Sequence, residues 1–288
     1  MTIYIVDRKT KKVFEEIVYK GGALRLLYKP TVFSKILCTL VAKIPLASYL
    51  FGLWQRLPLS KKEITPFVKK FHVNLGESEK TEFRSFNDFF TRKLKGNARP
   101  ISKDSLVAPA DGRYFIFENI KPHQEIFMKE QRLSISKLFH GSDKYIGGAL
   151  VMARLAPPDY HRFHFPVDCI PSAPKLIGGY LFSVNPIALR TNINFLTENK
   201  RVVVELKTET LGTLAFIAIG ATNVGSIEFT FEPGKHYKKG AELGYFAFGA
   251  SMVLILIEPN KTHLAADLLK NTTSGMETLC CMGEALLK

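Results

Sequence analysis

The sequence predicts an α+β protein: a basic, mainly helical N-terminal amphipathic region over residues 1–100, then a mostly antiparallel β sandwich or barrel-like catalytic core over 101–288. Three observations predict it. Almost all of the net charge of +14 lies early, with 20 Lys+Arg against 8 Asp+Glu in residues 1–100 and 20 against 18 in the remainder. Apolar residues recur at helical spacing between Ala23 and His72. Beyond Pro100, short runs rich in Val, Ile and Phe are broken by Gly, Pro and polar turns, without the alternation of a doubly wound sheet.

Taken in order, Ile3–Val6 and Val13–Val18 flank a polar stretch and predict a hairpin. Ile36, Leu37, Leu40, Val41 and Ile44 line one face of a first helix. Leu46, Tyr49, Leu50, Leu53, Trp54 and Leu57 line a second. Ser60-Lys-Lys-Glu63 has the form of a capping box ahead of Ile64, Phe67, Val68 and Phe71. Ser85 and Asp88 would cap a short helix that ends near Lys95. The strands expected after it are Gly148–Leu155, Arg201–Lys207, Thr213–Ile219, Ser226–Phe231 and Met252–Ile257, with Glu209–Gly212 as a hairpin connection.

Composition narrows the function classes. Apolar residues make up 46% and charged residues 23%, which is globular rather than disordered. Cys38, Cys169, Cys280 and Cys281 form no C-x-x-C pair and fit a reducing compartment. The longest uncharged run near the start, Ile44–Gln55, is twelve residues, short of the roughly 18 needed to span a bilayer. Nine Lys+Arg and one acid, Glu63, lie between Arg25 and Lys70. Basic helices with an aromatic-rich apolar side could be ordinary core helices, but the charge favours an anionic lipid interface. No recognisable nucleic-acid module is present, so nucleic acid is not expected as a partner.

Three polar clusters interrupt the strand-rich half. They are Pro109-Ala-Asp111-Gly112, Asp159-Tyr-His161-Arg-Phe-His164 and Phe248-Gly-Ala-Ser251. Each has an ordinary structural explanation as a turn, a strand end or a bend. Together they supply a carboxylate, a base and a hydroxyl nucleophile, and a serine becomes a useful nucleophile only when a base takes its proton. His161 and His164 at i, i+3 would also suit a metal, but no third ligand of suitable type stands near, so none is expected.

These blocks resemble the phosphatidylserine decarboxylase family. Asp7-Arg-Lys-Thr, Phe86-Asn-Asp-Phe-Phe-Thr-Arg-Lys-Leu94, Arg99-Pro100, Gly179–Asn185, Gly220–Ser226 and Gly244–Ser251 extend the likeness along nearly the whole chain. The resemblance implies a proenzyme that cuts itself between Ala250 and Ser251. Ser251 would attack the Ala250 carbonyl, with His164 as base and Asp111 as its orienter. Elimination and hydrolysis would then leave a covalent pyruvoyl group, derived from Ser251, on a 38-residue chain. That pyruvoyl (pyruvate) cofactor would form a Schiff base with phosphatidylserine and accept the electrons released with CO₂. His161 is the candidate donor to the α-carbon, with His164 as the competing assignment.

Ala250 and Met252 depart from the family's usual Gly and Thr, which predicts slower cutting. The expected partners are phosphatidylserine in an anionic membrane surface and the two chains of one precursor as a heterodimer, with a higher homo-oligomer left open. The expected place is the cytoplasmic side of a cell membrane, bound peripherally. Two other readings stand beside this one: a pyruvoyl enzyme acting on a soluble amino acid, and a membrane-binding homologue that no longer cuts itself. A serine hydrolase fits less well, because no Gly-x-Ser-x-Gly elbow surrounds Ser251.

Overall fold

The computed structural model describes residues 2–43, 45–126, 131–139, 141–221, 227–248, 251–261 and 263–287, with the backbone alone at 45–49 and 51. The chain opens with β1 (Tyr4–Asp7) and β2 (Val13–Glu15). It continues through α1 (Gly21–Leu27), α2 (Val32–Lys43), α3 (Pro45–Arg56), α4 (Ile64–Phe71) and α5 (Phe86–Phe90). Then come β3 (Gly112–Glu118), β4 (His123–Glu125), β5 (Arg132–Ser134), α6 (Ile135–Leu138), β6 (Ala149–Leu155), β7 (Arg162–His164), β8 (Ile170–Pro171) and β9 (Lys175–Ile177). The last part holds α7 (Pro186–Leu189), α8 (Phe195–Glu198), β10 (Arg201–Lys207), β11 (Thr213–Gly220) and β12 (Ile227–Phe229). It ends with β13 (Glu242–Phe246), β14 (Ser251–Ile257), α9 (Ala266–Thr273) and β15 (Glu277–Cys280).

The fold is α+β around a large, mostly antiparallel sheet of order β2-β1-β15-β3-β6-β14-β11-β10-β8, with β9 also on β10. Only β1 and β15 pair in parallel. A second sheet, β12-β13-β7, shares one core with the large sheet, since Phe163, Leu243 and Phe246 pack with Tyr114, Val253 and Ile255. The opposite face packs Phe115, Met152, Leu254 and Ile217 against Phe182, Leu189 and Phe195 from the helical segments around α7 and α8. β14 feeds both cores: Val253, Ile255 and Ile257 enter one, and Met252, Leu254 and Leu256 the other. A strand buried on both faces reads as a continuous apolar run, as Met252–Ile257 does.

Several expectations need correction. The N-terminal amphipathic helical region does not form as a unit, because the chain opens with two strands that extend the main sheet. The helices after them are pieces of five to twelve residues packed onto the β core, α4 and α5 through Phe67, Phe86, Phe90 and Phe248. The large sheet is open, ending at β2 and β8, so it closes no barrel among the described residues. Ser60 and Glu63 form no capping box. Ser60 Oγ donates to Leu57 O at 2.7 Å and accepts from Phe86 N, while Glu63 meets Trp54 and Gln55. Ser85 does cap α5, accepting from Asp88 N at 3.2 Å. Ile44, and residues 222–226 of the Gly220–Ser226 block, lie outside the described residues.

The expected apolar line of α2 faces outward. Cys38 and Ala42 are buried, whereas Val32 and Phe33 are three-quarters exposed and Ile36 and Leu40 at least half. Leu50, Leu53, Trp54, Leu57 and Leu59 continue this apolar surface.

Two glycines matter to the frame. Gly212 adopts φ +71° to close the β10–β11 hairpin, where a side chain would be strained. A Cβ on Gly112 would stand 2.8 Å from Arg154 O, so glycine lets β3 press against β6 beside Asp111.

A buried ionic cluster ties the two ends of the chain to that sheet. Arg154 on β6 bonds Glu277 on β15 at 2.5 and 2.8 Å and Glu16 at 2.8 Å. Arg113 on β3 reaches Asp159, and its Nε stands 2.7 Å from Glu16 Oε1, out of line for a hydrogen bond. Glu277→Ala would leave Arg154 with Glu16 alone and remove two charge-assisted hydrogen bonds, so it is expected to destabilise the protein by about 2–3 kcal/mol in urea denaturation. An unchanged midpoint would show that Arg154 does not depend on Glu277.

Candidate active site

β14 begins at Ser251, which pairs with Leu155 on β6 and Gly220 on β11 in the middle of the main sheet. Strand alternation puts Ser251 on the face of Val253, the face covered by β7 and β13. Ser251 is fully buried and its Oγ has no hydrogen-bond partner among the described residues. A buried hydroxyl without a partner costs about 1–3 kcal/mol.

The segment Asp159–His164 leads into β7. Asp159 turns the chain by accepting from Ala156 N at 2.6 Å, while its carboxylate meets Arg113. His161 Nδ1 lies 3.0 Å from Asp159 O, so Nδ1 carries the proton and Nε2 presents a lone pair. That Nε2 is buried and unpartnered, like Ser251 Oγ. The His161 ring lies 3.8 Å from Phe90, centroid to centroid, and Phe90 packs on Phe248 of the segment before Ser251. Burial lowers the His161 pKa to about 3, and the nearby Arg92 and Arg113 charges push in the same direction.

His164 is held differently. Its Nδ1 donates to Gly240 O at 2.9 Å, and its Nε2 accepts from the Tyr160 hydroxyl at 3.0 Å. Burial lowers its pKa, against the opposing charges of Glu242 and Asp111. His164 N also donates to Pro109 O at 2.7 Å, which brings the Pro109–Gly112 turn alongside. Asp111 accepts from Arg99 Nη2 at 2.6 Å and Nε at 2.9 Å, and from Met282 N at 2.8 Å.

No two of Asp111, His161, His164 and Ser251 are joined by a hydrogen bond. Asp111 reaches His164 through its charge, since Gly240 O occupies Nδ1. Gly249 and Ala250, on the far side of the expected cut, lie outside the described residues.

Residues 86–288 match the family model described as phosphatidylserine decarboxylase. Proteins named phosphatidylserine decarboxylase proenzyme from Chlamydia felis, Chlamydia caviae and Chlamydia pneumoniae are 45%, 44% and 42% identical to the chain. Each comparison covers 98% of the chain and at least 95% of the relative. The chain belongs to the phosphatidylserine decarboxylase family.

Members named as proenzymes imply a covalent pyruvoyl-type group, and the residues here fit one. Ser251 is buried with strands on both sides, and its Oγ has no partner among the described residues. Sequence reasoning gave no role to Tyr160, Met282, Arg92 or Arg99. Tyr160, Arg92 and Arg99 did fall in family blocks, which was their only signal; Met282 acts through its backbone, which leaves none.

His161 also makes stability depend on pH. Its folded pKa of about 3 lies below the ordinary 6.5, so the unfolded chain binds more protons between those values. The stability gained by keeping it neutral is complete above about pH 6.5 and is lost as pH falls from there toward 3. His161→Gln should flatten this slope by about 2 kcal/mol between roughly pH 7 and pH 5, read from urea midpoints. A wild-type slope no steeper than the variant's would contradict the burial of a neutral imidazole.

Proposed function

We propose that this chain is a self-processing decarboxylase that converts phosphatidylserine to phosphatidylethanolamine and CO₂ at the cytoplasmic face of a cell membrane. The observation that carries the reading is Ser251 Oγ: buried, without a partner among the described residues, and at the first position of β14 on the face that β7 and β13 cover. In the precursor, Ser251 Oγ attacks the Ala250 carbonyl and the amide becomes an ester. Elimination expels the Ala250 carboxylate, and hydrolysis releases ammonia from the new N-terminus. His164 takes the serine proton at Nε2, exchanging the Tyr160 hydroxyl for Ser251 as it does so. Asp111 steadies the imidazolium by charge, and Arg99 and Met282 N hold Asp111 still.

The cut divides the chain into residues 1–250 and 251–288. The small chain keeps β14 between β6 and β11 and β15 between β1 and β3, which supports its staying bound as a heterodimer. The pyruvoyl group left on residue 251 supplies an electron sink for decarboxylation. His161 Nε2 is the candidate to carry a proton between the substrate amine and the α-carbon, because it has no competing partner among the described residues.

The exposed apolar surface of α2 and α3 and the exposed Lys29, Lys35, Lys43, Lys61 and Lys62 support contact with an anionic bilayer. No helix among the described residues is long and apolar enough to cross one.

Release of CO₂ from phosphatidylserine vesicles, compared with free serine, tests the substrate class. The vesicles should be turned over and serine should not; equal rates would favour the soluble amino-acid reading. Ser251→Ala should be inactive and uncut, and Asp111→Ala and His164→Ala should cut slowly. His161→Ala should cut normally yet lose about 10²–10⁴ in kcat. A cut Ser251→Ala protein, or a fully active His161→Ala enzyme, would refute these assignments.

A further inference from the structure

Five arginines are buried or nearly so around the site, and four are neutralised by carboxylates. Arg99 meets Asp111 and Glu77, Arg113 meets Asp159 and Glu16, Arg154 meets Glu16 and Glu277, and Arg162 meets Glu242. Arg92 is the exception. It is 5% exposed, and its guanidinium reaches only backbone carbonyls: Phe89 O at 3.4 Å, Pro158 O at 3.1 Å and Asp159 O at 3.4 Å. Its Nε has no acceptor at all. Arg201 shows the contrast, since its three nitrogens all reach carbonyls, two of those bonds at 2.7 Å.

A buried cation with no carboxylate in contact is costly; Asp111 and Asp159 act on Arg92 only through their charge, and an anion at its open Nε would relieve that cost. Arg92 follows α5 directly, stacks over Phe89 at 5.0 Å, and bonds the carbonyl of Asp159, which also accepts from His161. It is close enough to His161 for its charge to act on the ring. We propose that Arg92 is the subsite for the phosphodiester of the phospholipid substrate, placed beside His161.

The substrate has two anionic groups, and chemistry chooses between them. A guanidinium paired with the carboxylate would stabilise the ground state that must lose CO₂, which opposes the reaction. The phosphodiester keeps its charge from substrate to product, so pairing with it binds without hindering the chemical step. An arginine fork also matches phosphate oxygens in geometry. The loss of the phosphodiester contact therefore falls on KM, and any change in kcat reports instead the Arg92 charge felt by His161.

The inference rests on the phosphatidylserine reading, and the test separates the two. Self-cut enzyme is assayed on phosphatidylserine in mixed micelles, with glycerophosphoethanolamine and ethanolamine as inhibitors. Arg92→Met should raise KM, and the Ki of glycerophosphoethanolamine, by about tenfold or more, and leave the Ki of ethanolamine unchanged. Arg92→Lys should fall between, since it keeps the charge and loses the fork; if Arg92→Met does not fold, Arg92→Lys decides by the same criteria. A KM within twofold of wild type, or equal weakening of both inhibitors, would overturn the subsite. Failure of the wild type to use phosphatidylserine would instead overturn the functional reading beneath it.

Discussion

The seating of β14 between β6 and β11 is the constraint on which the rest of the molecule depends. Seven residues pair on one side and six on the other, and side chains enter both cores. The strand cannot shift by one residue without turning its two apolar sets to the wrong faces. Its first residue, Ser251, is therefore fixed in position although its hydroxyl bonds to nothing. Packing along the strand supplies the stability, and the strand's end holds an uncommitted reactive group.

The buried charges follow from the same placement. Arg154 is paired in register with Met252, one residue past Ser251, and lies between Glu16 near the start of the chain and Glu277 near its end. Burial at the strand end desolvates the site, which keeps His161 neutral with an open Nε2. Arg99 and Arg113 hold Asp111 and Asp159 in place by ion pairs. Arg92 stands apart from this pairing, and the substrate's own charge completes it.

Much of the frame could be read from sequence where one physical signal dominated. Arg201–Lys207 and Met252–Ile257 are β-branched, apolar and bounded by turns, and both form strands almost as expected. β3 and β15 were missed: Gly112 looked like the end of a turn, and Glu277–Cys280 is short and half polar. β12 is shorter than the Ser226–Phe231 run suggested, because β13 pairs with only three of its residues. Periodicity found helices between Ala23 and His72 but not their orientation, since Ile36 and Leu40 face outward while Cys38 and Ala42 face the core. The site residues were legible through the family likeness. Their bonding was not, because Gly240 O, Met282 N and the Tyr160 hydroxyl come from segments whose approach only the fold determines.

The central claim is that Ser251 is the point at which the chain cuts itself, and the mass of the purified protein under denaturing conditions tests it most directly. The account predicts two polypeptides that separate on denaturation, residues 1–250 and residues 251–288. The smaller would resist N-terminal sequencing and carry a ketone in place of its serine amine. A single chain of 288 residues that stays intact with time would contradict it.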